Sequence, residues 1–145
     1  LEFLKNTSVS SAEMEIKSYY LQLINDYIDK AIESALNKFK NKEIKEKYFE
    51  SLSKFIIEGI DIINESEVTV YCNPEDYNFI IKIKEKIEKE KNVKLKIISK
   101  NISEYGGVIL TNKYNTVAYN NTIEGRFSRL KENIRKTLAD ILLGD

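Results

Sequence analysis

Histidine is absent from this sequence of 145 residues. Its absence excludes the commonest general base, the usual zinc ligand and every catalytic pair in which a histidine activates a serine or a cysteine. There is one cysteine, Cys72, so an internal disulfide framework is excluded and a reducing compartment is indicated. Cys72 lies in an apolar, strand-like segment, where the simplest interpretation is a small buried hydrophobic side chain.

Proline and glycine are scarce, with one and five residues respectively, which leaves little room for long irregular loops. No apolar run approaches the ~20 residues that span a bilayer, and no signal segment opens the sequence. The adjacent Gly106 and Gly107 enter a strand and are not followed by Lys-Ser or Lys-Thr, so they do not form a phosphate loop. They favour a tight turn or a close backbone approach instead.

An excess of one charge is also missing, because 23 basic residues balance 23 acidic residues. Proteins that bind nucleic acids in general carry a basic excess, since phosphate neutralisation supplies most of their affinity. The acidic residues alternate with lysine on predicted helix surfaces, and no carboxylate pair or metal-ligand cluster stands out. The nine tyrosines fall mostly on apolar faces, where packing explains them. The sequence therefore predicts a non-catalytic protein without a cofactor or a bound metal.

Apolar residues repeat at intervals of three and four from Ser11 onward, which predicts a long helix with Ser10 or Ser11 as its N-cap and Glu13 in its first turn. The apolar stripe is wide, and repeats of seven and of eleven residues both fit it, so the handedness of any helix pairing stays open. It favours either packing within the same domain or binding of a partner helix. The candidate partner-binding residues are Ile16, Tyr20, Ile24, Tyr27 and Ala31.

A polar break at residues 37–47 separates this helix from a second one, whose apolar face runs from Tyr48 to Ile63. Val68, Val70 and Cys72 alternate with polar or aromatic residues, which is the pattern of a half-buried strand. A third helix follows: Asn73 is its predicted cap, Pro74 suits its first position, and Glu75 and Asp76 favour its positive end.

A second strand is predicted over residues 93–99, a third in "GGVILTN" and a fourth in "TVAYNN", with a hairpin turn between the last two. The final helix is amphipathic, and Gly144 ends it. We therefore predict an α+β fold: a small mixed or antiparallel four-stranded sheet covered by helices and preceded by an amino-terminal helical arm. Residues 1–40 form the arm and residues 41–145 the globular domain.

The junction between the fourth strand and the final helix has its own signals. Asn121 or Thr122 is a suitable N-cap, and with Asn121 as the cap Glu124 takes the capping-box position. A cation near the positive end of a helix is unfavourable, so we expect Arg126 to have a carboxylate or carbonyl partner, either within the domain or across an interface.

The segment "GGVILTNKYNTVAYNNTIEGRF" resembles the carboxy-terminal domain of the E subunit of archaeal and vacuolar-type rotary ATPases. In that family a hairpin that begins with two glycines runs into an Asn-Thr/Ser-apolar-x-x-Arg-apolar segment, which opens the final helix. The matching residues are Gly106, Gly107, Asn121, Thr122, Ile123, Arg126 and Phe127. The family's strand followed by Asn-Pro-Glu-Asp is matched at Asn73, Pro74, Glu75 and Asp76. The resemblance extends from Ala12 to the end of the chain.

The resemblance implies a peripheral-stalk, or stator, component that tethers the catalytic head against the torque of the rotor. It implies a heterodimer with a smaller helical stalk protein, called G or H, and contact with the amino-terminal barrel of the non-catalytic nucleotide-binding subunit. The protein would then lie on the cytoplasmic side of the membrane and reach it only through the complex. Family members carry a long amino-terminal helix, much of which is expected to be missing before Leu1. The partner helix is expected on the wide stripe, together with the carboxy-terminal end of the last helix.

Two alternatives remain open at the level of sequence. One is a small nucleic-acid-binding α/β module. Such a module needs exposed aromatic and basic residues on the face of its sheet, and the strands here instead offer Thr69, Tyr71, Lys94 and Lys96. The other is a scaffold module with a helical arm. A salt-dependent gel shift tests the first alternative, and identification of a partner helix separates the second from a stator.

Overall fold

The computed structural model describes the backbone of residues 2–40 and 44–144 and the side chains of residues 9–40 and 44–144. The helices are α1 (Glu2–Lys40), α2 (Lys45–Ile63), α3 (Pro74–Lys91) and α4 (Ile123–Leu143). The strands are β1 (Glu67–Cys72), β2 (Lys94–Ser99), β3 (Gly107–Asn112) and β4 (Ala118–Thr122). The predicted element order and α+β class are confirmed. The predicted polar break includes residues 41–43, which lie outside the described residues.

The chain divides into two compact units. The helical unit consists of Leu1–Ala35 and Phe127–Asp145, and the sheet unit consists of Leu36–Arg126. Most of α1 and α4 therefore belongs to the helical unit, while all four strands, α2 and α3 belong to the sheet unit.

The sheet unit contains one four-stranded sheet in the order β2-β1-β3-β4. β1 and β2 are parallel and are joined by α3, as parallel neighbours require a crossover connection. β1 pairs antiparallel with β3, and β3 and β4 form the predicted hairpin. The sheet is therefore mixed, with β2 and β4 at its edges.

The core of the sheet unit lies between one face of the sheet and helices α2 and α3. Alternate residues of β1 and β3 supply the sheet side of this core, because successive side chains of a strand point to opposite faces. Its fully buried apolar side chains are Leu52, Ile56, Val68, Val70, Cys72, Ile80, Ile87, Val108 and Leu110. Gly59 lies against Leu110: a Cβ atom there would be 2.2 Å from Leu110 Cδ1, so a larger residue would force the Leu110 side chain to shift.

Three asparagines adopt left-handed backbone conformations. Asn64 follows α2 with φ 55°, and Asn92 follows α3 with φ 53°. The backbone N–H of each donates to the carbonyl four residues earlier, which closes the last helical turn. Asn115, with φ 56°, lies in the hairpin turn between β3 and β4. Asparagine is the residue that tolerates this conformation best after glycine.

The predicted start of the first helix is wrong. Ser10 and Ser11 lie inside α1, which already begins at Glu2. Both serines are exposed, where a helix tolerates a residue of modest helix propensity at small cost. No glycine or proline interrupts residues 2–40, so nothing in that segment stops the helix from extending toward the amino terminus.

In the helical unit, α1 has one half-buried face and one exposed face. The half-buried face includes Leu21, Ile28 and Ile32, spaced at seven and four residues. On α4 the half-buried residues include Ile134 and Leu138. An ion pair between Asp29 and Lys131 joins the two helices. Asn25 Oδ1 is buried and has no hydrogen-bond partner among the described residues.

Candidate partner-binding helix and strand-to-helix junction

The predicted partner-binding residues lie mostly on the exposed face of α1. The side chains of Ile16, Tyr20 and Tyr27 are 56%, 55% and 75% exposed, and Ala31 is exposed as well. Ile24 is half-buried. The structure thus groups four of the five predicted residues on one face and places Ile24 at the border with the half-buried face.

The two faces of α1 explain why its apolar stripe is so wide. A surface helix usually presents one apolar stripe to its own domain and polar residues to solvent. Here a second row of large apolar side chains faces solvent, next to the half-buried row. Its further members, beyond the predicted residues, are Val9, Tyr19 and Leu23. A contiguous exposed apolar row of this kind is typical of a surface that binds another protein.

The end of α4 also carries exposed apolar side chains. Ile141 is 71% exposed, and Leu143 in the last turn is exposed too. Leu130, in the middle of the helix, is likewise exposed. The apolar period of α4 predicted the helix correctly, but part of that face is left without cover among the described residues.

The junction between β4 and α4 depends on the two glycines. Gly106 and Gly107 have φ angles of 114° and 98°, which L-residues rarely adopt. Gly107 pairs with Thr122 at the end of the hairpin, and the N–H of Ile123 donates to the carbonyl of Gly106 at 2.9 Å. A Cβ atom at Gly107 would lie 2.5 Å from Thr122 Cα. The predicted close backbone approach is confirmed.

Thr122, and not Asn121, caps α4. Thr122 Oγ1 accepts a hydrogen bond from the N–H of Gly125 at 3.1 Å, three residues into the helix. Asn121 is fully buried, and its Nδ2 donates to the carbonyl of Phe55 at 2.9 Å. The predicted capping box is therefore wrong: Glu124 instead accepts a hydrogen bond from Ser103 Oγ at 2.8 Å.

Substitution of Thr122 by valine tests this cap. Valine keeps the shape of the side chain and removes its hydroxyl, which takes away the acceptor of the Gly125 N–H and the donor to Asn120 Oδ1. We expect the free energy of unfolding to fall by about 1–2 kcal/mol, measured by urea denaturation. Thr122→Ser, which keeps the hydroxyl, is the control, and its free energy of unfolding should fall by less. A loss in Thr122→Val that is no larger than the loss in Thr122→Ser would show that the hydroxyl contributes no more than the methyl group, and it would contradict the capping role.

Arg126 has the partners that the sequence leads us to expect. Its Nη1 donates to Glu58 Oε2 and to Asn121 Oδ1, both at 2.9 Å. Its guanidinium also lies over the ring of Phe55, 4.3 Å from the ring centroid. The carboxylate partner therefore lies within the sheet unit, on α2, and the arginine ties the start of α4 to that helix.

Asn73 occupies the N-cap position of α3, with an extended backbone, and Pro74 takes the first helical position as predicted. The side chain of Asn73 does not cap the helix, which corrects the prediction. It bonds the following loop instead: Oδ1 accepts from the N–H groups of Ile102 and Ser103 at 2.9 and 3.2 Å, and Nδ2 donates to the carbonyl of Ser103 at 2.8 Å. This side chain therefore fixes the path that leads from β2 to the two glycines.

A polar chain that the sequence did not indicate connects α2, α3 and the two glycines. Tyr48 donates its hydroxyl proton to Asp76 Oδ2 at 2.5 Å and accepts from the N–H of Gly107 at 2.9 Å. Burial raises the pKa of Asp76, and the hydrogen bond from Tyr48 only partly opposes this. Burial, together with the bond to Asp76, holds the pKa of Tyr48 well above its usual value. Tyr48 is a plain apolar-face residue in the sequence, so periodicity alone could not reveal its hydroxyl's role.

No group of histidine, cysteine and acidic side chains that could hold a metal ion occurs within the described ranges 2–40 and 44–144. Burial raises the pKa of the Cys72 thiol to about 11, as expected for a core side chain. Across the helices that the structure describes, none combines the length and the apolar character needed to cross a membrane.

A long helix with an exposed apolar row is typical of a protein that works by binding other chains. The chain belongs to the family described as ATP synthase (E/31 kDa) subunit, whose pattern matches residues 1–143. The similarity indicated by the two sequence motifs is thereby confirmed.

Individual relatives agree with the family match, and each is named as the E subunit of an A-type ATP synthase. The protein from Methanopyrus kandleri is 29% identical over 99% of this chain and 72% of its own length. The protein from Pyrococcus furiosus is 26% identical, with 97% and 70% covered. The protein from Methanococcus aeolicus is 30% identical, with 94% and 70% covered.

Proposed function

We propose that the chain is a non-catalytic peripheral-stalk component of an archaeal or vacuolar-type rotary ATPase. In this role it tethers the catalytic head against the torque of the rotor during ATP synthesis or proton transport. Membership of the family and the names of the relatives support a place in an ATP synthase complex. The exposed apolar row of α1 carries the more specific proposal of a stalk, because it offers a helical surface along which a second helix can bind.

We assign different roles to two parts of the chain. Residues 1–40 are the end of the stalk helix, and residues 41–145 are the globular domain. The 39 residues of α1 form one uninterrupted helix, which at 1.5 Å per residue is about 60 Å long. A helix of that length suits a part that bridges separate regions of a large complex.

The proposed partner on the exposed row is the smaller helical stalk protein, called G or H, in a heterodimer. Ile16, Tyr20 and Tyr27 provide its anchors, since a fully buried side chain of this size contributes about 1.5–3 kcal/mol. Tyrosine is also enriched at interfaces, because its ring is apolar while its hydroxyl can stay hydrated. The globular domain is proposed to contact the amino-terminal barrel of the non-catalytic nucleotide-binding subunit. Contact with the membrane is then made only through the complex, on its cytoplasmic side.

Charge substitutions on the exposed row test the proposed heterodimer. The double variant Tyr20→Glu and Tyr27→Glu places two carboxylates where the partner helix should bury apolar surface. We expect binding of the smaller stalk protein to weaken at least about tenfold, because unpaired charges are costly to bury. Isothermal titration calorimetry with the purified smaller stalk protein measures the change, and circular dichroism checks that helix content is unchanged.

The matched control is Ser18→Glu together with Gln22→Glu. Both residues are exposed on α1, and helical periodicity places them away from the apolar row. The control adds the same number of carboxylates to the same helix, so it should bind within about twofold of the unmodified protein. Equal weakening by the two double variants, or no weakening by either, would contradict the proposed binding face.

A further inference from the structure

A cavity of about 580 Å³ lies within the sheet unit, between α2, the start of α3 and the segment that leads into Gly106. Its size falls within the range of small-molecule sites in proteins. Aromatic side chains form much of its wall: Phe39, Tyr48, Phe49 and Tyr105. None of the predicted partner-binding residues on α1 lines it.

The charges around the cavity favour a cation. Three carboxylates and two lysines line it, which leaves one formal negative charge when all five are ionised. Lys40 is already paired with Glu104 at 2.6 Å. Neither Glu75 nor Asp76 forms an ion pair with any described residue. Apart from the Lys40–Glu104 pair, the wall therefore carries two carboxylates and one lysine, Lys45.

Asp76 is the most unusual of these groups, because it is only 3% exposed. Its Oδ2 accepts the hydroxyl proton of Tyr48, while Oδ1 has no hydrogen-bond donor among the described residues. A buried carboxylate is normally paired or fully hydrogen-bonded. Within the described residues Asp76 Oδ1 therefore has no donor, and Asp76 lies at the wall of a cavity large enough to admit one.

The aromatic wall already holds a cation of the chain itself. Lys40 Nζ lies over the ring of Tyr105, 5.4 Å from its centroid, in addition to its contact with Glu104. This distance lies within the range at which a cation is attracted to an aromatic face. Tyr48 and Asp76 place a second aromatic ring and a second carboxylate in the wall of the same cavity.

We propose that this cavity binds an organic cation, an alkylammonium or guanidinium group, between its aromatic rings and the carboxylates of Glu75 and Asp76. The cation supplies the missing donor to Asp76 Oδ1 and neutralises the charge excess of the wall. The two possible sources are a free polyamine and a basic side chain of a neighbouring chain, and both present the same chemistry.

The whole chain is titrated with spermidine as the free ligand and with N-acetylarginine amide as the side-chain mimic. The amide signals of Gly106 and Gly107 report binding by NMR, because Gly106 lines the cavity and the N–H of Gly107 donates to Tyr48. We expect saturable chemical-shift changes with at least one probe. The probe with the lower dissociation constant shows whether the bound cation is a polyamine or a basic side chain. No saturable shift with either probe up to 10-millimolar concentrations, on the order of the weakest useful affinities, overturns the proposal.

Two variants locate the binding in the cavity. Asp76→Asn should raise the dissociation constant about tenfold, because it removes the buried charge while the amide oxygen can still accept from Tyr48. Tyr105→Leu should raise it about threefold, whereas Tyr105→Phe, which keeps the aromatic face, should not. Glu65→Gln, an exposed acid outside the cavity, is the control for non-specific charge. Equal weakening by Glu65→Gln and Asp76→Asn, or equal affinities of the two Tyr105 variants, overturns the proposal.

Discussion

Replacing Gly107 with alanine should lower the free energy of unfolding by about 3 kcal/mol or more. The backbone of Gly107 has φ 98°, where a side chain is strained whatever space surrounds it. Space is also lacking: the added Cβ atom would lie 2.5 Å from Thr122 Cα, 2.7 Å from the carbonyl oxygen of Asn121 and 3.0 Å from the nitrogen of Ile123. All three are backbone atoms, so no side-chain rotation can relieve the clash.

Urea denaturation followed by circular dichroism measures the effect of Gly107→Ala. Lys100→Ala is the control, because Lys100 is exposed and its contact to Cys72 uses only the backbone. The control should change the free energy of unfolding by no more than about 0.5 kcal/mol. A loss below about 1 kcal/mol for Gly107→Ala would mean that the strand-to-helix junction relaxes easily, which would contradict the close approach of the two backbone segments.

Replacing Asn73 with alanine should also lower the free energy of unfolding by about 3 kcal/mol. The side chain is 3% exposed and makes three hydrogen bonds to the backbone of Ile102 and Ser103. Truncation leaves two N–H groups and one carbonyl without a protein partner. Each such group costs free energy when water cannot fully replace the lost bond.

Asn78→Ala provides a matched control for Asn73→Ala, since it makes the same change at an exposed position of α3. It should be neutral or slightly stabilising, because alanine has the better helix propensity. Thermal unfolding of both variants and of the unmodified chain gives the comparison. Similar midpoints for the two variants would show that the three hydrogen bonds of Asn73 contribute little to stability, against the loop-fixing role.

The element order could be predicted from sequence because the apolar periods are clear and the connections are short. The alternation at Val68, Val70 and Cys72 reports burial of one face of β1, and the structure places all three in the core. Pro74 marked the start of α3 because its ring fixes φ near the helical value and the first helical position needs no N–H donor. Sequence patterns predicted a helix or strand correctly where the backbone preference of a single residue determines the local structure.

The side-chain roles of the cap-type residues could not be predicted, because they depend on distant parts of the chain. Asn73 and Asn121 both precede helices and both suit an N-cap. In the fold, however, Asn73 meets the loop at Ser103, and Asn121 meets the carbonyl of Phe55, 66 residues away. Thr122 is left to cap α4. A sequence window of a few residues contains none of this information.

The cavity could not be predicted for a related reason. Its wall draws on the end of α1, on α2, on the start of α3 and on the segment at Tyr105. In the sequence, Asp76 read as a favourable charge in the first helical turn, and Tyr48 as a member of an apolar face. Only the tertiary fold brings the two side chains to 2.5 Å.

The left-handed asparagines at 64, 92 and 115 have a consequence for the unfolded ensemble. Glycine is the usual residue at such positions, but it gives the denatured chain the largest number of backbone states to lose on folding. Asparagine reduces the number of backbone states in the denatured chain, while its short polar side chain keeps the left-handed region accessible. A chain with only five glycines thus ends two helices and turns a hairpin with a smaller entropic penalty than three further glycines would impose.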